Sequence, residues 1–141
     1  MRSNRKGGEK GTNVLLKRGL ISGLANLVLG FGINQFVTLL LPALANEYRN
    51  PAMFRPWSDP LMMVYFAYPF ILGVAAAYLW EKVGKPKPAE FAKLYFLIAT
   101  VPGMFITYTS FQISFPMVLL WAVTGYIQVL VAGLVFVRVG K

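Results

Sequence analysis

The sequence contains no cysteine and no histidine. Their absence excludes disulfides, thiolate nucleophiles, serine–histidine catalysis, haem ligation through histidine and the usual zinc sites. Only five of the 141 residues are acidic, so carboxylate-rich metal sites are also poorly supplied. We therefore expect no metal, no cofactor and no enzymatic activity, and an enzyme acting on lipid ranks third among the functional hypotheses.

Charge of either sign is also scarce. Charged residues make up 13% of the chain and hydrophobic residues 57%, whereas soluble proteins have about 25% and about 45–50%. The chain lacks the polar residues to cover a soluble surface, and its apolar residues form four runs long enough to cross a bilayer. The sequence predicts an all-α bundle of four transmembrane helices with an ordered outer loop between the first two. The expected spans are about 20–41, 61–80, 91–108 and 117–137, within one domain of residues 14–141.

Basic residues are concentrated near the ends of the predicted spans. Residues 1–13 are rich in Lys, Arg, Gly, Ser and Asn, which predicts a disordered basic cytoplasmic tail. The net charge of +9 is typical of nucleic-acid binding as well, but Lys and Arg beside membrane spans set orientation. We expect no nucleic-acid partner.

The distribution of positive charge predicts an orientation. Twelve of the fourteen Lys and Arg residues lie in segments 1–18, 81–93 and 138–141, so both termini are predicted to be cytoplasmic. The membrane would be the plasma (inner) membrane if the chain is prokaryotic. One alternative is that the first span is a cleaved signal peptide, because Ala43-Leu44-Ala45 follows it, although such apolar cores usually have about 7–15 residues.

The loop at 45–60 is the first candidate site. Its three prolines prevent a helix from crossing it. Arg55, Trp57 and Asp59, with Glu47 and Arg49, are candidates to bind a ligand head group or a loop of a partner. The alternative is structural: Arg55 and Asp59 form a salt bridge, and Trp57 anchors the loop at the water–lipid boundary.

The middle of the bilayer is the second candidate site. Ser22, Asn26, Gly30 and Asn34 recur every four residues and share one face of the first helix. Bare amides are costly in lipid, so this face is expected to pack inward. The alternative to a solute path is a helix-packing seam joined by amide hydrogen bonds, with Gln128 bonded across to another helix.

Two prolines add to this second hypothesis. Pro69 and Pro102 are expected to break the second and third spans at similar depth and to free backbone carbonyls. The freed carbonyls would line a polar mid-membrane cavity together with five side chains: Asn26, Asn34, Tyr65, Tyr68 and Gln128. The alternative is that the two prolines are ordinary kinks.

No charged residue lies in the middle of a predicted span, and this limits the functional hypotheses. The chain resembles the small multidrug-resistance transporters in size and helix count only, because proton-coupled transporters usually need a carboxylate at depth. The leading hypothesis is a structural or accessory protein that binds other membrane proteins or itself, in contact with membrane lipids. The alternative is a carrier or channel for a small solute.

Overall fold

The computed structural model describes the backbone of residues 3–139 and the side chains of residues 11–139. Within residues 3–139 the chain forms helices and no strand. The helices are α1 (Ser3–Leu40), α2 (Pro42–Glu47), α3 (Met62–Tyr65), α4 (Tyr68–Lys82), α5 (Pro88–Tyr95), α6 (Val101–Ser110) and α7 (Phe115–Arg138). A π-helical turn, Phe96–Thr100, joins α5 to α6.

Four helical segments are long and apolar enough to cross a membrane: Gly11–Leu40, Met62–Lys82, Pro88–Ser110 and Phe115–Arg138. They confirm the predicted all-α architecture of a multi-pass membrane protein. We call the end that carries the connections 41–61 and 111–114 the loop end. The opposite end, with the turn 83–87 and the last turn of α7, is the terminal end.

The first helix is longer than its predicted span. The described backbone is helical from Ser3, so α1 extends into the segment for which the sequence predicts a disordered tail. Once an apolar stretch has nucleated a helix, each added residue gains a hydrogen bond at little further cost. The division between a tail and a membrane domain at residue 13 stays a prediction.

Prolines interrupt the first two spans, as predicted. Leu41 leaves the helical conformation and Pro42 opens α2. Before Pro69, the N–H groups of Phe66 and Ala67 bond to carbonyls only three residues back instead of four. Pro69 has no N–H to donate, so the second span divides into α3 and α4 at this point.

The third span is interrupted in a different way. The sequence predicts a kink at Val101-Pro102-Gly103, and the structure has the π-helical turn Phe96–Thr100 directly before it. A π turn shifts the hydrogen-bond pattern by one residue. The wider π turn therefore accommodates Pro102, which has no N–H group to donate, and the helix continues into α6.

The core of the bundle lies at the terminal end. Helix α7 packs against α1, α4, α5 and α6. One cluster of buried residues fills the space between them: Ala76, Ala77, Trp80, Phe91, Ala92, Val129, Ala132 and Phe136. Three aromatic rings interlock within it, since Phe136 lies 5.7 Å from Trp80 and 6.3 Å from Phe91, between ring centroids.

Glycine allows α1 and α4 to approach closely. A Cβ atom at Gly73 would lie 2.3 Å from the carbonyl oxygen of Gly19, and one at Gly23 would lie 2.8 Å from the Cα of Phe70. Both distances are too short for any side chain. Small residues thus bring the first and second spans into close contact, as they commonly do in membranes.

A buried ion pair fixes the terminal end of this contact. The guanidinium of Arg18 pairs with the carboxylate of Glu81, and its Nε donates to the carbonyl oxygen of Val139 over 2.7 Å. Lys85 also pairs with Glu81, over 3.1 Å between Nζ and Oε2. The Arg18 side chain is 8% exposed, and removing one partner of such a pair leaves an uncompensated charge. This arrangement joins α1, α4 and the end of α7.

The α1–α4 contact predicts a specific destabilisation. Gly73→Ala introduces a Cβ where the backbone of α1 already lies, so we expect a loss of about 1–3 kcal/mol, typical of overpacking. Thermal unfolding in detergent measures the loss. Gly30→Ala is the matched control, because a Cβ at Gly30 meets nothing within 4 Å. Equal melting temperatures for the two variants would contradict the close approach.

Candidate functional site

Aromatic rings fix the start of the loop to α7. Tyr48 lies 5.4 Å from Phe54 and 6.2 Å from Trp121, and Phe54 lies 6.2 Å from Trp121 edge-on, between ring centroids. The indole N–H of Trp121 donates a hydrogen bond to the hydroxyl oxygen of Tyr48. Buried indole and phenol groups usually find such partners, and this one holds residues 48–54 against the last span.

A second aromatic group fixes the end of the loop. The ring centroid of Trp57 lies 6.1 Å from Tyr65 and 6.3 Å from Phe66. Phe66 in turn lies 6.4 Å from Phe31 of α1. Because contacts at both ends reach different helices, the loop is held in one conformation, as the sequence predicts for an ordered outer loop.

Between the two aromatic groups, Arg55 and Asp59 form the salt bridge that one of the two sequence hypotheses predicts. The Nη1 of Arg55 lies 2.8 Å from the Oδ2 of Asp59. The other carboxylate oxygen accepts the N–H of Leu61 over 2.9 Å. The hydrogen bond from Arg55 lowers the pKa of Asp59 below its ordinary value, and the Leu61 N–H acts in the same direction. Asp59 therefore stays ionised and stabilises the turn into α3.

A groove of about 460 Å³ lies between this loop and the end of α1. Asn34, Val37 and Thr38 of α1 form one wall, and the segment from Ala45 to Trp57 forms the other. This volume is within the range of small-molecule sites, about 300–1,000 Å³. The groove therefore combines two sets of residues that the sequence placed in separate sites, since Asn34 lies beside Arg55 and Trp57.

Two arginines, Arg49 and Arg55, line the groove, and none of the acidic residues within 11–139 does. The guanidinium of Arg55 is paired with the carboxylate of Asp59. The Arg49 side chain has no ion pair or hydrogen bond with any residue in the described part of the chain. The phenol of Tyr48 also lines the groove, and burial raises its pKa above 10.0, so it remains a neutral donor. The groove is suited to an anion.

The mid-membrane residues are not gathered into the same site. Asn26 is buried at 1% exposure, and neither its amide nitrogen nor its amide oxygen has a partner within residues 11–139. Gln128 is partly buried, and its side-chain amide makes no hydrogen bond with the described residues. The expected bond from Gln128 to another helix is therefore not formed.

Asn26 and Gln128 nevertheless lie at one depth. At ~1.5 Å per residue, Asn26 is about 21 Å from the loop end of α1 and Gln128 about 20 Å from the loop end of α7. The two helices pack against each other. Tyr65 and Tyr68 lie on the second span with stacked rings 6.4 Å apart, and both are exposed. Pro69 is buried and Pro102 is exposed.

Two residues that line the groove, Tyr48 and Thr38, were not selected from the sequence as site residues, whereas Arg49 belongs to the predicted outer site. Tyr48 and Arg49 follow the short helix α2, and Thr38 lies one turn after Asn34 on α1, where its hydroxyl donates to the Asn34 carbonyl over 2.9 Å. Thr38 continues the four-residue repeat of Ser22, Asn26, Gly30 and Asn34 by one step, and this spacing could have placed it on the same face of α1.

Comparisons with known proteins add nothing to this geometry. No family model, no curated protein and no solved structure matches the chain.

Proposed function

We propose that this small multi-pass membrane protein is a structural or accessory protein that binds another membrane protein or a second copy of itself. It catalyses no reaction and conducts no solute. The observation that carries the proposal is the contrast between the two ends of the bundle: the terminal end is closed, and the loop end presents a fixed surface.

The dense packing of the terminal end argues against a conducting path. Ala77, Phe91, Ala92 and Phe136 are at most 1% exposed and fill the terminal end of the bundle. The polar face of α1 is covered there as well, since Ser22 and Asn26 are at most 1% exposed. Water and solutes that enter from the loop end therefore meet packed side chains before the terminal end.

The fixed loop supports partner binding. Trp57 is 69% exposed and the Arg55 side chain 61% exposed, while their neighbours hold them in place. Trp, Tyr and Arg are the residue types that contribute most to protein–protein interfaces. A surface that is already ordered loses less conformational entropy when a partner binds.

Native mass spectrometry of the protein extracted from its own membrane tests the proposal. We expect a stoichiometric second protein or a homo-oligomer, and about a tenfold loss of it in Trp57→Ala, the size of effect typical of an interface hot spot. Tyr78→Ala is the control, because Tyr78 is an exposed aromatic residue at the terminal end. A monomer in both mild detergent and nanodiscs would contradict the proposal.

One observation favours the carrier hypothesis as a second candidate. The orphaned amide of Asn26, at the depth of Gln128, is costly unless another conformation supplies a partner. Under the accessory proposal Asn26→Leu leaves partner binding unchanged, because an apolar residue suits that environment. Under the carrier hypothesis Asn26→Leu abolishes function while the protein still inserts.

The charge distribution supports a cytoplasmic terminal end, in the plasma (inner) membrane if the chain is prokaryotic. Lys82, Lys85, Lys87 and Arg138 all lie at or beside that end, where positive charge favours the cytoplasm.

This orientation can be tested with single cysteines, because the chain has none. Ser58→Cys should react with an impermeant maleimide in intact cells, whereas Val83→Cys should react only after the membrane is opened. Both positions are exposed and lie in turns at opposite ends. The reverse pattern of labelling would contradict the orientation.

A further inference from the structure

We propose that the groove between α1 and the loop binds the phosphate head group of an anionic membrane lipid, in the leaflet at the loop end, with Arg49 as the principal contact. The inference does not rest on partner binding: its principal residue is Arg49, whereas partner binding is argued from Trp57, although both side chains line the groove.

The depth of the groove matches the head-group region. Asn34 lies six residues before the end of α1 at Leu40, which places it about 9 Å below the helix end. The opposite wall belongs to the loop outside the span. Polar and head-group layers add roughly 5–8 Å on each side of a hydrocarbon core of ~30 Å. The groove thus extends across the layer where lipid phosphates lie.

The charges of the groove match a phosphate. Arg49 has an unpaired guanidinium among the described residues, and Arg55 retains donors beyond the one that it gives to Asp59. Guanidinium groups bind phosphate oxygens with two parallel hydrogen bonds. Among the described residues no acidic side chain lines the groove, and the nearby carboxylate of Asp59 is already paired with Arg55.

Below the expected position of the phosphate, the α1 wall offers a polar group to the ester region of the lipid. The Asn34 side chain makes no hydrogen bond with the described residues, and its amide nitrogen can donate to an ester or glycerol oxygen. The Thr38 hydroxyl donates to the backbone carbonyl of Asn34, so the free donor on this wall is the Asn34 amide.

The apolar residues of the groove favour a lipid over a free anion. Val37, Phe54 and Trp57 line it beside the arginines. Val37 lies within the first span, so this wall continues into the hydrocarbon layer. A free phosphate would leave Phe54 and Trp57 in contact with water, since neither ring is buried. An amphiphile covers them with its glycerol and first acyl carbons.

The test uses the full chain in nanodiscs that contain equal amounts of phosphatidylglycerol and phosphatidylcholine. Native mass spectrometry after release into mild detergent measures which lipid stays bound. We expect one phosphatidylglycerol to be retained in preference to phosphatidylcholine. The preference should fall about tenfold in Arg49→Gln, which removes a charge-assisted hydrogen bond. Asn34→Leu should also weaken retention, and both positions are exposed enough to tolerate the change.

Arg138→Gln is the matched control, because Arg138 is an exposed arginine at the terminal end, and we expect it to keep the wild-type preference. Equal losses in Arg49→Gln and Arg138→Gln would mean a nonspecific attraction of basic residues and would overturn the site. Displacement of the bound lipid by millimolar inorganic phosphate would assign the groove to a free anion and overturn the lipid proposal. Retention of phosphatidylcholine to the same extent would also overturn it.

Discussion

The close approach of α1 and α4 is the constraint on which the rest of the structure depends. Gly19, Gly23 and Gly73 bring the two backbones into direct contact, and this contact buries Ser22 and Asn26 within the bundle. In lipid the hydrophobic effect does not drive helices together, so backbone proximity and packing must supply the stability. The Arg18–Glu81 pair then fixes the register of these helices at the terminal end.

This contact divides the polar face of α1 into two parts with different roles. Toward the terminal end this face packs against α4, and its polar side chains are buried in the helix contact. Toward the loop end, beyond the break before Pro69, α4 no longer covers it, and Asn34 is exposed to the groove. One repeat of small and polar residues thus yields a sealed seam at one end and, in our proposal, a lipid site at the other.

The four spans and the break at Pro69 could be predicted, because each depends on local hydropathy or on the covalent chemistry of one residue. The π turn before Pro102 could not, since a proline break has several backbone solutions and packing selects one. The Arg18–Glu81 pair lies 63 residues apart in sequence, and no local pattern indicates it. The groove was missed as one site because its walls come from a helix and a loop whose juxtaposition only the fold determines.

The central claim is that the polar face of α1 is open to water at Asn34 and sealed at Asn26. Single cysteines at these two positions in the cysteine-free chain, treated with a small water-soluble methanethiosulfonate in reconstituted vesicles, test it directly. We expect Asn34→Cys to react from the loop end and Asn26→Cys to stay unmodified from either side. Rapid modification of Asn26→Cys would show a water-filled path at mid-membrane and would contradict a closed, non-conducting bundle.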